Sequence, residues 1–447
     1  MPYIPHTEQD IQQMLATIGV ASIRELFQDV PDDLYIEGSL PVPAGLDEHA
    51  LFKRLSQLAA RNADSTRYIS FLGAGAYDHF IPAVVGAIIS RGEFLSAYTP
   101  YQPEASQGLL QSIFEFQTMV CELTGMDVAN ASMYDASTAL AESALMACNI
   151  TGRSKVVVSQ GVHPHYRQVV RTYLWTNSRQ LVEVPTREGI TDIDALQAVM
   201  DAETACAIVQ YPNFFGLIES LAPVAEAAHR VGALAIACVD PIALGVLKPP
   251  GAYGYDIVVG EGQGLGNAMG FGGPMLGLFA CKQEHLRRIP GRIVGQTTDA
   301  EGRRGFVMTL RTREQDIRRE KATSNICTNE ALCALASTVF MASLGKSGFR
   351  ELSETCTQKA HYAARLLTQI PGVRLKYPHT PFYKEFVLEL PRPAQEVCDA
   401  LLAHNILAGL PLGDHDPAMQ NDLLVCVTET RTREEIEAFA EALRTVV

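Results

Sequence analysis

The chain has 447 residues, of which 47% are hydrophobic, and its 50 acidic against 36 basic residues give a formal net charge of −14. A chain of this length can bury a large core in two or three domains, and its acidic balance argues against nucleic acid or an anionic membrane as the main partner. The first ten residues lack the regions of a secretory signal, the apolar runs are shorter than a membrane span, and the ten cysteines include no C-x-x-C pair. We therefore expect a cytoplasmic protein with reduced thiols and no zinc site.

Residues 1–65 are predicted to form a helical arm. Thr7-Glu-Gln-Asp10 has the pattern of a capping box, and apolar residues at helical spacing follow it up to Gly19. A stretch with several prolines and glycines, residues 31–45, then leads into a second helix at about residues 48–61. An arm of this kind either wraps a partner subunit or covers its own domain, and the sequence leaves both possibilities open.

Two loops with glycine, proline and tyrosine follow the arm. Phe71-Leu-Gly-Ala-Gly-Ala-Tyr77 enters a glycine turn that lacks the third glycine of a dinucleotide motif, so it is a weak nucleotide signal. Tyr98, Tyr101 and Gln102 crowd onto a turn with two prolines, ahead of a predicted helix over residues 103–124. Polar groups on such loops often contact ligands. The alternative is that the tyrosines close an edge of the core with their hydroxyls hydrogen-bonded.

Regular alternation of apolar strands and helices begins at Lys155. This pattern of βαβ units predicts a mostly parallel sheet in a large α/β domain of residues 66–345. The expected strands are Lys155–Ser159, Gln180–Val184, Cys206–Gln210, Leu234–Val239 and Ile257–Gly260. Helices and short strands over residues 346–447 predict a small α+β domain at the carboxyl end.

The stretch from Asp240 to Gly273 carries the clearest chemical pattern. Asp240 closes one predicted strand, and the glycine-rich loop Gly260–Gly273 leaves the next. Many pyridoxal-phosphate (PLP) enzymes of the aspartate-aminotransferase type are built in this way, with the Asp on the pyridine nitrogen and a lysine of the loop in the Schiff base. This loop contains no lysine, and the nearest ones are Lys248 and Lys282. The pattern indicates a PLP-type crevice without its covalent anchor.

Asp135 and His163 are expected beside the same crevice. Asp135 is a good N-cap for a helix over residues 136–148, whose N-terminus receives the phosphate in PLP enzymes of this fold. Its carboxylate would compete with a phosphate for the same N–H groups. His163-Pro-His165 could hold a metal, but no acidic or cysteine partner is evident nearby, so a turn that opens a helix explains it better. One ring of this pair could stack in the crevice.

Residues 287–319 form a basic stretch in which acidic residues are interspersed. Mixed charge signs favour an ion-paired face over a site for a phosphate backbone. The stretch is either an interface or active-site rim, or a solvated helix.

Four motifs carry a resemblance to one family: AYTPYQPEASQG from Ala97, ANASMYD from Ala129, GFGGP from Gly270 and REQDIRREKATSNICT from Arg313. The chain resembles the P-protein of the glycine cleavage system, glycine dehydrogenase (decarboxylating). It is most similar to the amino-terminal half, which is a separate subunit 1 in many bacteria. The resemblance implies a PLP-dependent-transferase fold of the aspartate-aminotransferase type.

The resemblance also implies where the chemistry resides. In this family the PLP lysine belongs to the carboxyl-terminal half or subunit 2, and the matching position here is Gln263, whose amide cannot form an imine. Asp240 and His163 would then be vestiges of a crevice, and this chain alone would hold no catalytic residue. It would pair with subunit 2, as a heterodimer and then an α2β2 assembly, with PLP bound by subunit 2. Tyr98, Tyr101 and Gln102 would contribute to the active-site rim or the interface.

The implied reaction is the decarboxylation of glycine, with transfer of the aminomethyl group to the lipoyl arm of H-protein. Two other readings remain open. The chain could be a self-sufficient PLP lyase or aminotransferase that uses a different lysine, with Lys248 the nearest candidate. It could also be a structural or regulatory protein with a nucleotide at residues 260–266, although the glycine spacing there does not match the dinucleotide fingerprint.

Overall fold

The computed structural model describes residues 5–36, 38, 40–95, 99–326 and 328–447. The chain divides into two compact units, Met1–Ala63 and Asp64–Val447. The further boundary expected between residues 345 and 346 lies inside the second unit and stays a prediction. Tyr98 lies outside the described residues.

Helices and strands together make up most of the second unit, whereas the described residues of the first unit contain helices and no strand. The α-helices are α1 Glu8–Ile18, α2 Glu48–Ala59, α3 Ala83–Ile89, α4 Gly92–Leu95, α5 Gln107–Thr124, α6 Ala136–Thr151, α7 Pro164–Thr176, α8 Ile193–Val199, α9 Leu221–Arg230, α10 Gln315–Arg318, α11 Ala331–Leu367, α12 Ala394–Leu401 and α13 Arg433–Val446. The strands are β1 Ile69–Ser70, β2 Val128–Ala129, β3 Lys155–Ser159, β4 Gln180–Val184, β5 Thr186–Arg187, β6 Ile190–Thr191, β7 Thr204–Tyr211, β8 Leu234–Val239, β9 Ile257–Glu261, β10 Gly277–Cys281, β11 Ile293–Thr298, β12 Arg304–Thr309, β13 Arg374–Leu375, β14 Glu385–Glu389, β15 Ile406–Leu407, β16 Leu410–Pro411 and β17 Asp422–Cys426.

The first unit has local helical structure with little core of its own. The capping box predicted at the start of α1 is present: the Thr7 side chain accepts the Asp10 N–H at 3.2 Å, and the Asp10 carboxylate accepts the Thr7 N–H at 2.7 Å. Gly19 ends the helix at φ 90°, a conformation that favours glycine. Among the residues described in this unit, only Leu15 is buried. The helices therefore carry apolar side chains that no core of their own covers.

A seven-stranded sheet in the order β2-β10-β9-β8-β7-β3-β4 organises the second unit. The five strands from β9 to β4 are parallel, and β10 runs antiparallel to both β9 and β2. Alternate residues of β8 enter two different cores: Ala237 packs with residues of α5, α9 and α11, and Cys238 with residues of α6 and α7. Because both faces are covered, the strands are continuous apolar runs, which is the pattern the sequence showed.

Helix α11 is the one helix in the described part of the chain that is long and apolar enough to cross a membrane by length and composition. It is broken at Gly345, where φ is 61° and ψ is −176°. Its first half packs in the core of the sheet, and its second half packs against the carboxyl-terminal sheet β13-β14-β17-β16 with α12 and α13. Core helices of globular folds meet the same criteria.

The basic stretch, residues 287–319, does not form the solvated helix that was one of its two predicted forms. It contains the antiparallel hairpin β11–β12, followed by short helical turns. Phe306 and Met308 are buried and join Val294 in a small core against α5, whereas Gly305, Val307 and Thr309 are half-buried. This alternation in burial has the period of a strand, and the arginines of the surrounding stretch concealed it in the sequence.

Candidate functional site

The predicted crevice lies where parallel strands end. Asp240 follows β8, Gln263 follows the adjacent β9, and His163 follows β3, which β7 separates from β8, so three loops leave the same edge of the sheet. His163 and Gln263 are buried. We refer to these three as the crevice residues. One short piece of chain, Gly73–His79 (the 73–79 segment), lies against all of them, either directly or through Lys384.

Gln263 uses both ends of its amide on the backbone of Tyr77. Its Oε1 accepts the Tyr77 N–H at 2.8 Å, and its Nε2 donates to the Tyr77 carbonyl at 3.2 Å and to the Asn267 carbonyl at 2.7 Å. The side chain is 2% exposed. The residue that the sequence analysis predicts at the Schiff-base position is therefore a fixed amide whose hydrogen bonds all go to the protein itself.

His163 is fixed by hydrogen bonds at both ring nitrogens. Its Nδ1 accepts the His165 N–H at 3.1 Å and so caps α7, which leaves Nε2 to donate to the Ala74 carbonyl at 3.0 Å. Burial lowers the pKa of His163 to about 4, so the ring is neutral. The ring stacks on Tyr166 with centroids 4.5 Å apart. The turn that the sequence predicted here is confirmed, and the ring contacts the 73–79 segment.

Asp240 is paired with a lysine that the sequence did not single out. Lys384 directly precedes β14. Its Nζ lies 2.7 Å from Asp240 Oδ2, and its side chain is 1% exposed. The same Nζ lies 3.4 Å from the centroid of the Tyr77 ring. Burial is the largest single influence and would lower the pKa of Lys384, but the charge of Asp240, its hydrogen bond to Lys384 and smaller contributions from Cys426 and Cys356 together outweigh it, so the pKa is raised. Lys384 is therefore a protonated, non-nucleophilic amine.

A chain of polar groups continues from Lys384 to the surface. Its Nζ lies 3.1 Å from His79 Nε2, and His79 Nδ1 lies 2.6 Å from Glu429 Oε2. Because the ammonium can only donate, Nε2 must accept and Nδ1 must carry the proton toward Glu429. Cys356 Sγ also lies 3.5 Å from Glu429 Oε2. His79, Cys356 and Glu429 are close enough together to hold a metal ion. However, His79 Nδ1 carries a proton and therefore has no free electron pair for a metal.

Two carboxyl groups accept hydrogen bonds from the backbone N–H groups at the N-terminus of α6. Asp135 Oδ1 accepts the Thr138 N–H at 2.7 Å, as its N-cap pattern predicted. Glu261 Oε2 accepts the Ala136 N–H at 3.0 Å, and its Oε1 accepts the N–H groups of Gln263 and Leu276. Burial raises the pKa of Glu261 to about 8, against the opposite effect of its three backbone donors. A phosphate at this helix end would have to displace both carboxyl groups.

The structure also places the residues of the two alternative readings. Lys248 is exposed, and its Nζ lies 4.5 Å from the centroid of the Tyr253 ring. The lysine that pairs with Asp240 is Lys384 and not Lys248. The glycine loop is packed by protein: a Cβ at Gly266 would lie 2.7 Å from Phe340 Cβ, and one at Gly264 would lie 3.0 Å from His79 Cδ2. The glycines therefore serve close packing.

Tyr101 and Gln102 lie on an exposed loop. The Tyr101 hydroxyl accepts from Arg292 Nη2 at 3.0 Å, and Arg311 Cζ lies 4.8 Å from the ring centroid. Arg292 also donates to Thr328 Oγ1 at 3.1 Å. The turn and the basic stretch thus meet in one cluster, Tyr101 with Arg292 and Arg311, which we call the arginine rim. The role of Tyr101 and Gln102 toward a ligand stays a prediction.

Comparisons with known proteins agree with this geometry. The profile of the glycine cleavage system P-protein family matches residues 1–443. The chain belongs to this family. A protein of Desulforamulus reducens named as a probable glycine dehydrogenase (decarboxylating) subunit 1 is 53% identical over 443 residues, which cover 99% of each chain. The family resemblance inferred from the four motifs is confirmed.

Solved structures support the fold. The crystal structure of a glycine decarboxylase (P-protein) of the glycine cleavage system, in inhibitor-bound form, is 46% identical, with a TM-score of 0.91 and coverage of 100% of both chains. A sphingosine-1-phosphate lyase of Burkholderia pseudomallei is 16% identical, with a TM-score of 0.66 and coverage of 92% and 93%, and this likeness concerns the fold alone. The predicted α/β fold of the PLP-dependent-transferase type is confirmed.

The P-protein fold implies PLP, but the residues of this crevice do not fit it. Gln263 lies at the predicted anchor position, the carboxylate of Asp240 is paired with Lys384, and the helix end predicted to take the phosphate is occupied by Glu261. The aldehyde of PLP would meet no lysine amine after β9, and its pyridine ring would overlap with Tyr77. No chemical step in this chain is therefore assigned to PLP.

The buried Glu385 gives the crevice of this P-protein a pH dependence. Its carboxyl group accepts the Ala74 N–H at 2.6 Å and the Tyr77 hydroxyl at 2.8 Å, and burial raises its pKa from 4.5 to about 7. A raised carboxyl pKa contributes stability that is present below pH 4.5 and is lost as the pH rises through 7. Relative to Glu385→Gln, the native chain should lose roughly 3 kcal/mol of unfolding free energy over this window. Urea unfolding of both proteins across the window checks this, and a difference that does not change with pH would contradict it.

Proposed function

We propose that this chain is subunit 1 of glycine dehydrogenase (decarboxylating), and that the PLP of the complex is bound by a second, lysine-bearing subunit. The observation that carries the proposal is Gln263: it replaces the Schiff-base lysine, and its amide is fully engaged with the backbone. The name of the Desulforamulus reducens relative supports the role as a subunit.

In the assembled enzyme, glycine loses carbon dioxide and its aminomethyl carbon passes to the lipoyl arm of H-protein. PLP supplies the electron sink for this chemistry when it is bound in the partner. The contribution of this chain is a surface that completes the partner's site. The complex is a heterodimer that pairs again into an α2β2 assembly in the cytoplasm, and the free state of all nine described cysteines supports that compartment.

The arginine rim is the part of this chain that we assign to the partner's active site. It presents an exposed tyrosine held by a buried arginine, so its position is fixed before the partner arrives. Gln102 follows Tyr101 directly, and Tyr98 precedes Tyr101 by three residues in the sequence. Positive charge and hydroxyl groups suit the carboxylate of glycine or another anionic group of the reaction.

Changing Tyr98 and Tyr101 together to phenylalanine should therefore lower glycine–carbon dioxide exchange by the reconstituted complex about tenfold or more, a loss typical of hydrogen bonds to charged groups. Assembly should be unaffected, because the rings remain. The control is Tyr362→Phe, which removes a hydroxyl bonded to Glu437 on another face of the chain. Exchange at the native rate in the double variant would refute the assignment.

The helical arm is proposed to pack on the partner subunit. Phe52 of α2 is 74% exposed and Ile18 of α1 is 60% exposed, far above what a covered apolar helix shows. Phe271, on the glycine loop, is 97% exposed and is a second candidate contact. Phe52→Ser should weaken co-purification of the two subunits without lowering the stability of this chain, because the exposed ring buries little surface in the free chain.

The direct test is glycine–carbon dioxide exchange by each chain alone and by the two together. We expect no exchange by this chain, and full exchange with co-elution in gel filtration when the lysine-bearing homologue is co-expressed. If this chain alone exchanged carbon dioxide with glycine, it would be a self-sufficient PLP enzyme and the proposal would fail.

A further inference from the structure

Hydrogen bonds hold the 73–79 segment in place just before its first residue and just after its last. Before it, the Phe71 N–H donates to the Leu407 carbonyl at 2.7 Å and the Cys426 N–H donates to the Phe71 carbonyl at 2.9 Å. After it, the Phe80 N–H donates to Glu429 Oε1 at 2.7 Å. The segment is thus tied to the ends of β15 and β17, as a fixed part of the fold.

Close packing on the strands beneath requires glycine at the start of the segment. A Cβ at Gly73 would lie 2.3 Å from Glu385 Oε1 and 2.6 Å from Cys426 Cβ. Both neighbours belong to the carboxyl-terminal sheet, so this sheet presses the segment into the crevice. This contact explains the glycine at position 73, and Gly75 has a φ of 101°, a conformation that favours glycine, so neither needs a nucleotide.

Tyr77 lies between the two positions that hold the ring of PLP in enzymes of this fold. Its backbone is held by Gln263, at the anchor position, and its ring lies against Lys384, whose Nζ is 2.7 Å from Asp240. Together they place an aromatic ring in the crevice and one positive charge opposite Asp240, the two features that a protonated pyridine ring would supply.

We propose that the 73–79 segment and Lys384 together are a built-in replacement for the coenzyme, which fills the ring space and supplies the cation that Asp240 requires. The inference goes beyond the role as subunit 1, because it concerns why the crevice is closed. It follows that restoring an amine at position 263 does not restore PLP binding.

The first experiment treats Gln263→Lys with PLP and borohydride and maps pyridoxyl groups by peptide mass. We expect no adduct at position 263, and labelling elsewhere equal to that of the native chain treated in parallel. A stoichiometric adduct at position 263 would overturn the replacement and would leave the subunit role, which depends on the native glutamine, untouched.

The second experiment needs no variant. Hydrogen exchange of the native chain should show strong protection of the Ala74 and Tyr77 amides, because these N–H groups donate to Glu385 and Gln263. Addition of PLP should leave both rates unchanged. Exchange of these amides at the rate of an open loop, or a change in either rate with PLP, would mean that the segment leaves the crevice, and the proposal would be wrong.

Discussion

Replacing Lys384 with methionine should lower the free energy of unfolding by about 3–5 kcal/mol, the usual cost of breaking a buried ion pair from one side. Asp240 would keep its position at the end of β8 with its charge uncompensated, since its side chain is only 11% exposed. The same change removes the cation from the Tyr77 ring and the donor from His79 Nε2. Urea unfolding at neutral pH measures the loss.

Two controls separate the charge from the packing. Adding Asp240→Asn to Lys384→Met removes the uncompensated charge, so the double variant should be more stable than the single one. Lys155→Met removes a similarly buried lysine whose acidic partner, Asp201, is 57% exposed, and it should cost only about 1 kcal/mol. If Lys384→Met cost no more than Lys155→Met, the Asp240–Lys384 pair would not organise the crevice.

Replacing Gly73 with alanine should cost about 2–3 kcal/mol, because the new methyl group overpacks a closed site. Its Cβ would lie 2.3 Å from Glu385 Oε1 and 2.6 Å from Cys426 Cβ, and neither neighbour is free to move. The displaced segment should also exchange its Ala74 and Tyr77 amides faster. Chemical denaturation and hydrogen exchange of the variant check both effects.

The matched control is Gly86→Ala, inside α3, where a Cβ would have nothing within 4 Å. That change should raise the free energy of unfolding by about 0.5–1 kcal/mol, since alanine has the higher helix propensity. Equal effects of the two substitutions would show that the 73–79 segment is not tightly packed.

Much of the fold could be predicted because the sheet is buried on both faces. Its parallel strands are continuous apolar runs with helices between them, and the ends of α5 and α6 have glycine in the left-handed conformation after them. The hairpin β11–β12 was harder to predict, since the arginines before and after its strands suggested a charged, solvated surface. Gly345, the last residue of the predicted large domain, is the break in α11.

Only part of the crevice could be predicted from the sequence. Asp240, Gln263 and the missing lysine follow from strand order and loop position, because they lie on neighbouring strands. Lys384 is 144 residues after Asp240 along the chain (384 − 240), and the pair exists only because two sheets pack together. The one signal was a charged pair, Lys384-Glu385, inside the otherwise apolar run from Phe382 to Leu388. Glu261 was missed for a similar reason: its donors come from α6 and from its own loop.

The most direct test of the account is the location of PLP in the complex. After reconstitution with the lysine-bearing homologue and reduction with borohydride, peptide mass mapping should place all stoichiometric pyridoxyl-lysine on the partner and none on this chain. The purified chain alone should stay colourless with added PLP apart from free coenzyme. A stoichiometric pyridoxyl group on any lysine of this chain would contradict the account.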